Sequence, residues 1–331
     1  MDTQTRIMSR NYAGEQDLQA ICDLLNLVDQ YDDLDDGFAT PAGWRTNIEN
    51  PDTVPDRDTR IWEDEAGRMV GFGQLWTHKP EKEPVTDAHF LMRLHPDVRN
   101  QGLEEEMLGW AEGQIRTLAQ ERGHQARLFT GMSIGTPEFV AYRTGVLARN
   151  GYEPVRYWFK MARDLNEPIA EPVLPEGFTL KHTDGAADAE KWIDLFNMSF
   201  IDHWNHHDET AESHAHWLNN NPNYVKERDL VAIAPDGTWA AFCFCVIYTE
   251  DNAAYGRKEG WIDILGTRRG YRKIGLGTAM LLAGMRKMKE AGMDTAVLGV
   301  DAQNPTGALR LYESVGFKQV RSSTTFSKDL T

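Results

Sequence analysis

The sequence predicts an α/β protein of two similar domains, each with a mixed central sheet flanked by helices. Three observations predict it: strand-like and helical segments alternate in the second half, a proline-rich stretch lies near the middle, and a degenerate repeat flanks that stretch. A chain of 331 residues is long enough for about two domains. Its 41% of hydrophobic residues is enough to bury a core in each, which argues against general disorder.

The proline-rich stretch is DLNEPIAEPVLPEG, residues 164–177. Pro168, Pro172 and Pro175 favour an extended connector because each restricts its own backbone and that of the residue before it. We therefore expect a first domain over residues 1–165, a linker over 166–176 and a second domain over 177–331.

Two pairs of matching segments form the repeat. Residues 149–165, RNGYEPVRYWFKMARDL, match residues 314–330, SVGFKQVRSSTTFSKDL, at an offset of 165. Residues 99–104, RNQGLE, match residues 272–277, RKIGLG, at an offset of 173. Both matches occur in the same order, so they indicate two copies of one fold.

The second copy gives the clearer pattern of elements. It predicts a helix over 186–200, strands over 229–234 and 239–248, and a strand over 259–267. A glycine-bearing turn follows, then a helix over 277–291, a strand over 295–301, a helix from Asn304 to Val315 and a strand-like tail over 317–327. Gly316 fits the carboxyl-terminal cap of the last helix.

Charge and cysteine content exclude several classes of function. The 51 acidic and 35 basic residues give a net charge of -16, so nucleic acid and anionic membranes are poor partners. Cys22, Cys243 and Cys245 form neither a disulfide framework nor a zinc-binding spacing, so no metal is expected. The polar amino terminus and the lack of a long apolar run lead us to expect a cytoplasmic protein. The oligomeric state stays open.

Residues 259–280, EGWIDILGTRRGYRKIGLGTAM, form the most informative segment. An apolar strand enters a turn rich in arginine and lysine, and Gly275 and Gly277 lie where the next helix begins. A helix amino terminus offers unpaired N–H groups and a partial positive charge, which suit a phosphate. The P-loop and dinucleotide fingerprints are both absent. Two glycines at a helix start fit helix packing equally well.

The neighbouring residues favour the anion-binding interpretation. The pattern Arg272-x-x-Gly275-x-Gly277 after an apolar strand, followed by NPTGALRLYESVGF at 304–317, resembles the GCN5-related N-acetyltransferase (GNAT) family. The resemblance covers about residues 259–320. The tandem arrangement is similar to that of the two-domain members of the family, of which mycothiol synthase is one.

This resemblance implies acetyl-CoA as the acyl donor. It implies that the pyrophosphate lies on backbone amides of Arg272, Lys273, Ile274, Gly275, Leu276, Gly277 and Thr278. It further implies that the pantetheine pairs with the strand end at Leu265, Gly266 and Thr267, and that Asn304 contacts the cofactor.

Acetyl transfer also requires a base, because an alkylamine with a pKa near ~10 is protonated at neutral pH. Glu259, Trp261 and Asp263 alternate onto one face of the strand before the turn. Asp263 is nearer the expected cofactor end and is the preferred base, with Glu259 as the second candidate; a purely structural carboxylate is the alternative. We expect direct attack of the amine on the thioester, since no histidine adjoins Cys243 or Cys245.

The departing thiolate needs a proton. Tyr312 occupies the family position of the acid that supplies it. The alternative is a core tyrosine, since Leu309 and Leu311 lie nearby.

Candidate acceptor-binding residues lie in residues 200–217, FIDHWNHHDETAESHAHW. In the GNAT family the region between the first two helices shapes the acceptor pocket, so His203 and Trp204 are the candidate acceptor-binding residues. A surface histidine and a packed tryptophan are the alternative. The histidines lack any HExxH or CxxC context, so a metal site is not expected.

The first copy has lost key residues. Glu104 replaces the second glycine, where its carboxylate would repel a pyrophosphate, and Leu147 aligns with Tyr312. The sequence therefore predicts an N-acetyltransferase that acts on a primary amine of a small molecule in its second domain. The alternatives are mycothiol synthase, with a cysteinyl-pseudodisaccharide acceptor, and a non-catalytic acyl-CoA sensor.

Overall fold

The computed structural model describes residues 6–77, 84–304 and 307–330. The chain divides into two compact units: unit 1 is Met1–Tyr157 with Ser323–Thr331, and unit 2 is Trp158–Ser322. This division differs from the linear one expected around residues 166–176. Residues 158–165 belong to unit 2, and the carboxyl terminus belongs to unit 1.

The described residues of unit 1 form a mixed sheet and five α-helices, and the elements are numbered along the whole chain. Its strands are β1 (Met8–Asn11), β2 (Thr59–Glu63), β3 (Met69–Thr77), β4 (Val85–Leu94) and β5 (Gln125–Ser133), with the last part of β12 (Lys318–Leu330) beside β5. Its helices are α1 (Glu15–Asp32), α2 (Pro41–Ile48), α3 (Pro55–Asp58), α4 (Leu103–Arg122) and α5 (Pro137–Arg149). Strands β4 and β5 are parallel, and the other pairs are antiparallel.

Unit 2 repeats this plan. Its strands lie in the order β6 (Glu153–Asp164), β11 (Thr295–Asp301), β10 (Glu259–Thr267), β9 (Trp239–Val246), β8 (Asp229–Ile233) and β7 (Thr179–His182). Its helices are α6 (Ala189–Phe200), α7 (Ala211–Asn220), α8 (Thr249–Tyr255), α9 (Leu276–Glu290) and α10 (Ala308–Ser314). One face of the sheet packs with α9 and α10, and the other packs with α6. Within the described ranges, no helix has the length and apolar character needed to cross a bilayer.

The predicted fold class is confirmed. Strands β10 and β11 begin and end at the predicted residues, and α9 begins one residue before the predicted start. Strand β7 and helices α7 and α8 were not predicted. Pro305 and Thr306, expected to open α10, lie outside the described residues.

The last strand of each sheet explains why the division is not linear. Ser323–Leu330 of β12 pairs antiparallel with β5 in unit 1, and residues 158–164 of β6 pair antiparallel with β11 in unit 2. These two segments are the copies of the repeat that match at an offset of 165, so each can occupy the equivalent position in either sheet. The proline-rich stretch follows β6 and packs on unit 2 through Ile169 and Leu174.

Each sheet opens where its parallel pair of strands ends. Strands β10 and β11 pair only from Glu259↔Thr295 to Trp261↔Val297, although both strands continue beyond these residues. Strands β4 and β5 pair only as far as His89↔Phe129. The parallel strands therefore leave a gap at their carboxyl ends, which is a usual position for a ligand in an α/β sheet.

Candidate active site

The edge of β10 beside this gap has unpaired backbone. Leu265, Gly266 and Thr267 pair with β9 on one side, and in the described part of the chain no strand pairs with them on the other. Such backbone groups can pair with an extended, amide-containing ligand. Gly266 is required by packing, because an added Cβ would lie 2.3 Å from Cε1 of Phe242.

A helix amino terminus follows this strand end. Lys273 and Gly275 have positive φ angles of 65° and 92°, which turn the chain into α9. Gly275 is the N-cap, and because it has no side chain it makes no capping hydrogen bond to the helix. The first N–H groups of α9, including those of Gly277 and Thr278, therefore lack helical acceptors. No acidic residue lies in the first turn, so the local field favours an anion.

Arg272 holds this turn in place. Its guanidinium donates to the Thr267 carbonyl at 3.1 Å, the Ser199 carbonyl at 2.8 Å and the Asp202 carboxylate at 2.7 Å. Arg269 pairs with the same carboxylate. The hydrogen bond from Arg272, assisted by Arg269, lowers the pKa of Asp202. The Arg272 side chain thus connects the turn to the end of α6.

The remaining two cations of the turn differ. Arg268 pairs with Asp194 and donates to the Trp239 carbonyl at 3.1 Å. Lys273 is exposed, and its ammonium forms no ion pair within the described ranges. Lys273 is therefore the cation best placed to meet a phosphate at the start of α9.

Gly277 lies where β10, α9 and α10 meet. A Cβ added there would lie 3.6 Å from Oγ1 of Thr267 and 3.7 Å from Cδ2 of Leu311, which are ordinary contacts. A methyl group would fit, but a longer side chain would occupy the space in front of the free N–H groups.

Tyr312 follows Leu311 on α10 and is 7% exposed. Its ring packs edge-to-face on Phe317 at 6.2 Å between centroids. Burial, with a smaller contribution from the nearby Cys243 thiol, raises the pKa of Tyr312 above its ordinary value. The hydroxyl therefore keeps its proton at neutral pH. Asn304 lies in the turn after β11, where its N–H bonds the Asp301 carbonyl at 3.1 Å.

Asp263 lies on a β-bulge of β10. The register with β9 shifts between Ile262 and Ile264, and these two side chains pack on opposite faces of the sheet. The simple alternation expected for Glu259, Trp261 and Asp263 is therefore interrupted at the carboxylate.

The Asp263 carboxylate is reached by solvent, yet much of its surroundings is protein. This enclosure raises its pKa from 3.8 to about 6, partly opposed by the Tyr248 hydroxyl at 3.5 Å. A carboxylate with this pKa is ionised at neutral pH and is still basic enough to take a proton.

Glu259 lies at the opposite end of β10. Its carboxylate pairs with Lys160 and Arg257, each at 3.5 Å, and its backbone pairs with the side chain of Asn252. It lies four positions before Asp263 along the strand, which corresponds to about 13 Å. The structure therefore does not bring Glu259 to the gap.

His203 and Trp204 lie on the other side of the gap. Both rings approach Trp158 of β6, with centroid distances of 6.0 Å and 6.1 Å. They directly follow Asp202, the partner of Arg272. The two predicted acceptor residues are thus close in sequence to the carboxylate that anchors the turn.

Further side chains of this face were missed by the sequence analysis. Lys160 of β6 places its ammonium 5.0 Å from the Trp261 ring, and Tyr248 packs on the same ring at 6.3 Å. Trp158 and Lys160 alternate on one strand, a detectable signal, but that strand was assigned to the first domain.

The other histidines of this segment pack against or contact neighbouring side chains. His214 is buried and stacks on Trp192 at 4.4 Å, and burial lowers its pKa to about 4. His206 contacts Asp208 at 2.9 Å. Across residues 6–77, 84–304 and 307–330, no three His, Cys, Asp or Glu side chains are grouped to hold a metal ion.

The equivalent turn of unit 1 is filled by its own side chain. Asn100 and Gly102 have positive φ angles of 59° and 93°, as Lys273 and Gly275 do in unit 2. The buried Glu104 carboxylate accepts hydrogen bonds from the Asn100 N–H at 2.7 Å and the Tyr142 hydroxyl at 2.8 Å. An internal carboxylate therefore occupies the start of α4.

Comparison with known proteins identifies the fold and the reaction class. The family model described as Acetyltransferase (GNAT) family matches residues 189–317, which lie within unit 2. This part of unit 2 is a GNAT-type acetyltransferase domain.

Relatives and solved structures extend this likeness to both units. A mycothiol acetyltransferase of Thermobispora bispora is 28% identical over 258 residues, covering 76% of this chain and 78% of that protein. A GCN5-related N-acetyltransferase from Sphaerobacter thermophilus superposes with a TM-score of 0.70 at 21% identity, covering 98% of this chain and 96% of that one. A tandem GNAT protein from the clavulanic acid biosynthesis pathway gives a TM-score of 0.70 at 15% identity, covering 98% and 99%.

GNAT acetyltransferases use acetyl-CoA or another acyl-CoA as donor, and the open strand edge and uncapped helix of unit 2 fit such a molecule. When bound, it supplies the activated acyl thioester. Leu265, Gly266 and Thr267 would hold its amide-bearing arm, and the amino terminus of α9 would hold its phosphates.

Proposed function

We propose that this GNAT protein transfers the acetyl group of acetyl-CoA to a primary amine of a small molecule, at a single active site in unit 2. The observation that carries the proposal is the coincidence of a carboxylate of raised pKa at a bulge of β10 with a helix start, after the same strand, whose first turn has no acidic residue. One group suits deprotonation of an amine, and the other suits binding of the donor.

Asp263 is the proposed base. It takes a proton from the ammonium form of the acceptor, directly or through one water, and the free amine attacks the thioester carbonyl. The C–N bond forms as the C–S bond breaks, and the electron pair of that bond leaves with the sulfur. The raised pKa of Asp263, about 6, supports this role because it keeps the carboxylate basic near neutral pH.

Tyr312 is the proposed acid. Its raised pKa keeps the hydroxyl protonated until it gives its proton to the departing thiolate, and the phenolate that remains takes the second proton that the acylated nitrogen loses. His203 and Trp204, with Trp158 behind them, form the proposed acceptor wall. Asn304 is proposed to contact the donor from the turn after β11.

Unit 1 is proposed to be catalytically silent. Glu104 fills the start of its helix α4, and Leu147 occupies the position that Tyr312 has in the other repeat. Leu91 takes the place of the proposed base, because it lies two residues past the last parallel pair of unit 1, as Asp263 does in unit 2. Its first helical turn also carries Glu105 and Glu106, which would repel phosphate.

A second candidate is acetylation of a cysteinyl-pseudodisaccharide, as in mycothiol synthesis. It is favoured by the mycothiol acetyltransferase relatives, which align over most of the chain. The aromatic rings of Trp158, Trp204 and Trp261 can pack against the apolar face of a sugar as well as against other apolar groups.

Calorimetric titration of acetyl-CoA, followed by turnover assays with primary amines and the cysteinyl-pseudodisaccharide, tests the proposal. We expect one site per chain and thiol release with at least one acceptor. Two sites would contradict the silent unit 1. Binding without turnover of any acceptor would favour an acyl-CoA sensor.

A further inference from the structure

Gly299 of β11 is a glycine in the middle of a central strand, where glycine weakens a sheet because it is flexible and has no side chain to pack. Its backbone does not need glycine, because Gly299 is not among the residues with positive φ. Packing does not need it either, since no atom of the described residues lies within 4 Å of an added Cβ. Even Lys160, its cross-strand partner, stays beyond that distance.

The surroundings of Gly299 indicate what the space is for. It lies two residues past the last parallel pair, Trp261↔Val297, at the edge of the gap, as Asp263 does on β10. Gly299 is exposed, while Leu298 and Val300 on either side are buried against the α9 face. A glycine inside a strand often marks a bulge, a tight bend or a close approach by a ligand or another backbone. The register of β11 with β6 runs without a shift through Gly299, so no bulge explains it and the close approach of a ligand is the interpretation we pursue.

Gly299 lies on the face of the unit 2 sheet opposite to the one where the donor is proposed to bind. Thr267, Gly277 and Leu311 meet on the side of α9 and α10, where the donor is proposed to bind. Position 299 faces the opposite side, together with Lys160 and Trp261. With the donor proposed on the face of α9 and α10, the face over Gly299 is the one left for the acceptor.

Resting on the proposed function, we propose that Gly299 is a specificity-determining residue that leaves room for a substituent on the carbon bearing the acceptor amine. An amine on an unbranched chain is slim enough to reach Asp263 without that room. An amine on a branched carbon, as in an amino sugar or an amino-acid amide, is not.

Unit 1 supplies a matched control. Gly131 of β5 lies two residues past its own last parallel pair, His89↔Phe129. It is also exposed, and in the part of the chain that the structure describes no atom lies within 4 Å of an added Cβ. Gly299→Val and Gly131→Val thus add the same side chain at equivalent positions of the two units. Both strands tolerate valine, so both variants are expected to fold.

The kinetic test uses glucosamine and alaninamide as branched amines, and spermidine and tyramine as unbranched amines. Gly299→Val is expected to reduce kcat/KM for the branched amines at least tenfold more than for the unbranched ones, with acetyl-CoA affinity within about twofold of wild type. Gly131→Val is expected to change neither. Equal loss for both classes, no loss, or a parallel loss of acetyl-CoA affinity overturns the inference.

A second measurement needs no turnover. The thiol introduced by Gly299→Cys is alkylated with iodoacetamide, and the three native cysteines are buried and serve as an unreactive background. We expect rapid labelling that CoA alone does not prevent and that CoA with glucosamine or alaninamide slows at least fivefold. Slow labelling, protection by CoA alone, or no protection by either amine overturns the inference. Failure of the proposed function shows separately, as absent acetyl-CoA binding or turnover in the wild-type protein.

Discussion

Units 1 and 2 keep the same backbone features and differ in a few side chains. Both have a gap after their parallel strands and a helix start with positive φ angles at equivalent positions. In both, an arginine pairs with an aspartate at or just beyond the end of the first helix: Arg99 with Asp32, and Arg272 with Asp202. The difference teaches that the shape of such a site persists after its charge pattern has changed. In unit 1, a buried glutamate takes the position offered to an anion in unit 2.

The largest effect is expected from Asp263→Asn. An amide takes up no proton, so kcat is expected to fall about 1,000-fold. In the wild type, kcat/KM should fall below about pH 6, where the Asp263 carboxylate becomes protonated, and this limb should vanish in the variant.

Steady-state kinetics from pH 5 to 9 provide the measurement. Glu259→Gln is the control, because Glu259 lies at the opposite end of the strand beside Lys160, and its activity should stay within about threefold of wild type. A wild-type acidic limb that survives in Asp263→Asn would assign the base elsewhere.

Gly277→Glu introduces into unit 2 the glutamate that unit 1 has at the equivalent position, Glu104. A carboxylate close to the donor phosphates costs about 3 kcal/mol at an effective dielectric constant near 20, or about 100-fold in acetyl-CoA affinity. Gly277→Ala is the matched control, since its methyl group makes ordinary contacts with Thr267 and Leu311. Calorimetry measures both variants, and unchanged binding by Gly277→Glu would place the donor outside unit 2.

The two arginine–aspartate pairs should differ in their contribution to stability. Asp32 is buried beneath Arg99, and Asp32→Asn is expected to lower the free energy of unfolding by about 2 kcal/mol because it leaves a poorly compensated buried guanidinium. Asp202 and Arg272 are more exposed, so Asp202→Asn should lower stability much less. Urea unfolding of the whole chain measures both, and an equal loss would contradict the comparison.

The smallest expected effect is that of Tyr312→Phe. Removing the hydroxyl should reduce kcat about tenfold and leave acetyl-CoA affinity unchanged, since the ring can still pack on Phe317. Pre-steady-state and steady-state kinetics with the best acceptor measure it. Full kcat in this variant would make Tyr312 a core tyrosine.

Local patterns predicted much of unit 2. Short apolar runs were sufficient to delimit β10 and β11, and the glycines after β10 indicated where α9 begins. The bulge at Asp263 could not be read, because its register shift depends on how β9 pairs beside it. Trp158 and Lys160 were missed for a similar reason: their strand precedes the proline-rich stretch and was placed in the wrong sheet.

The sequence by itself determined that the fold is repeated, which copy keeps an acid-free helix start, and that Glu104 marks the altered copy, because these are properties of short segments. Only the tertiary structure decided which terminal strand completes which sheet. The segments ending at Asp164 and Leu330 are copies of each other, so their local propensities are alike, and long-range pairing selects between them. The same pairing sets Gly299 opposite Lys160 and leaves the gap beside Asp263.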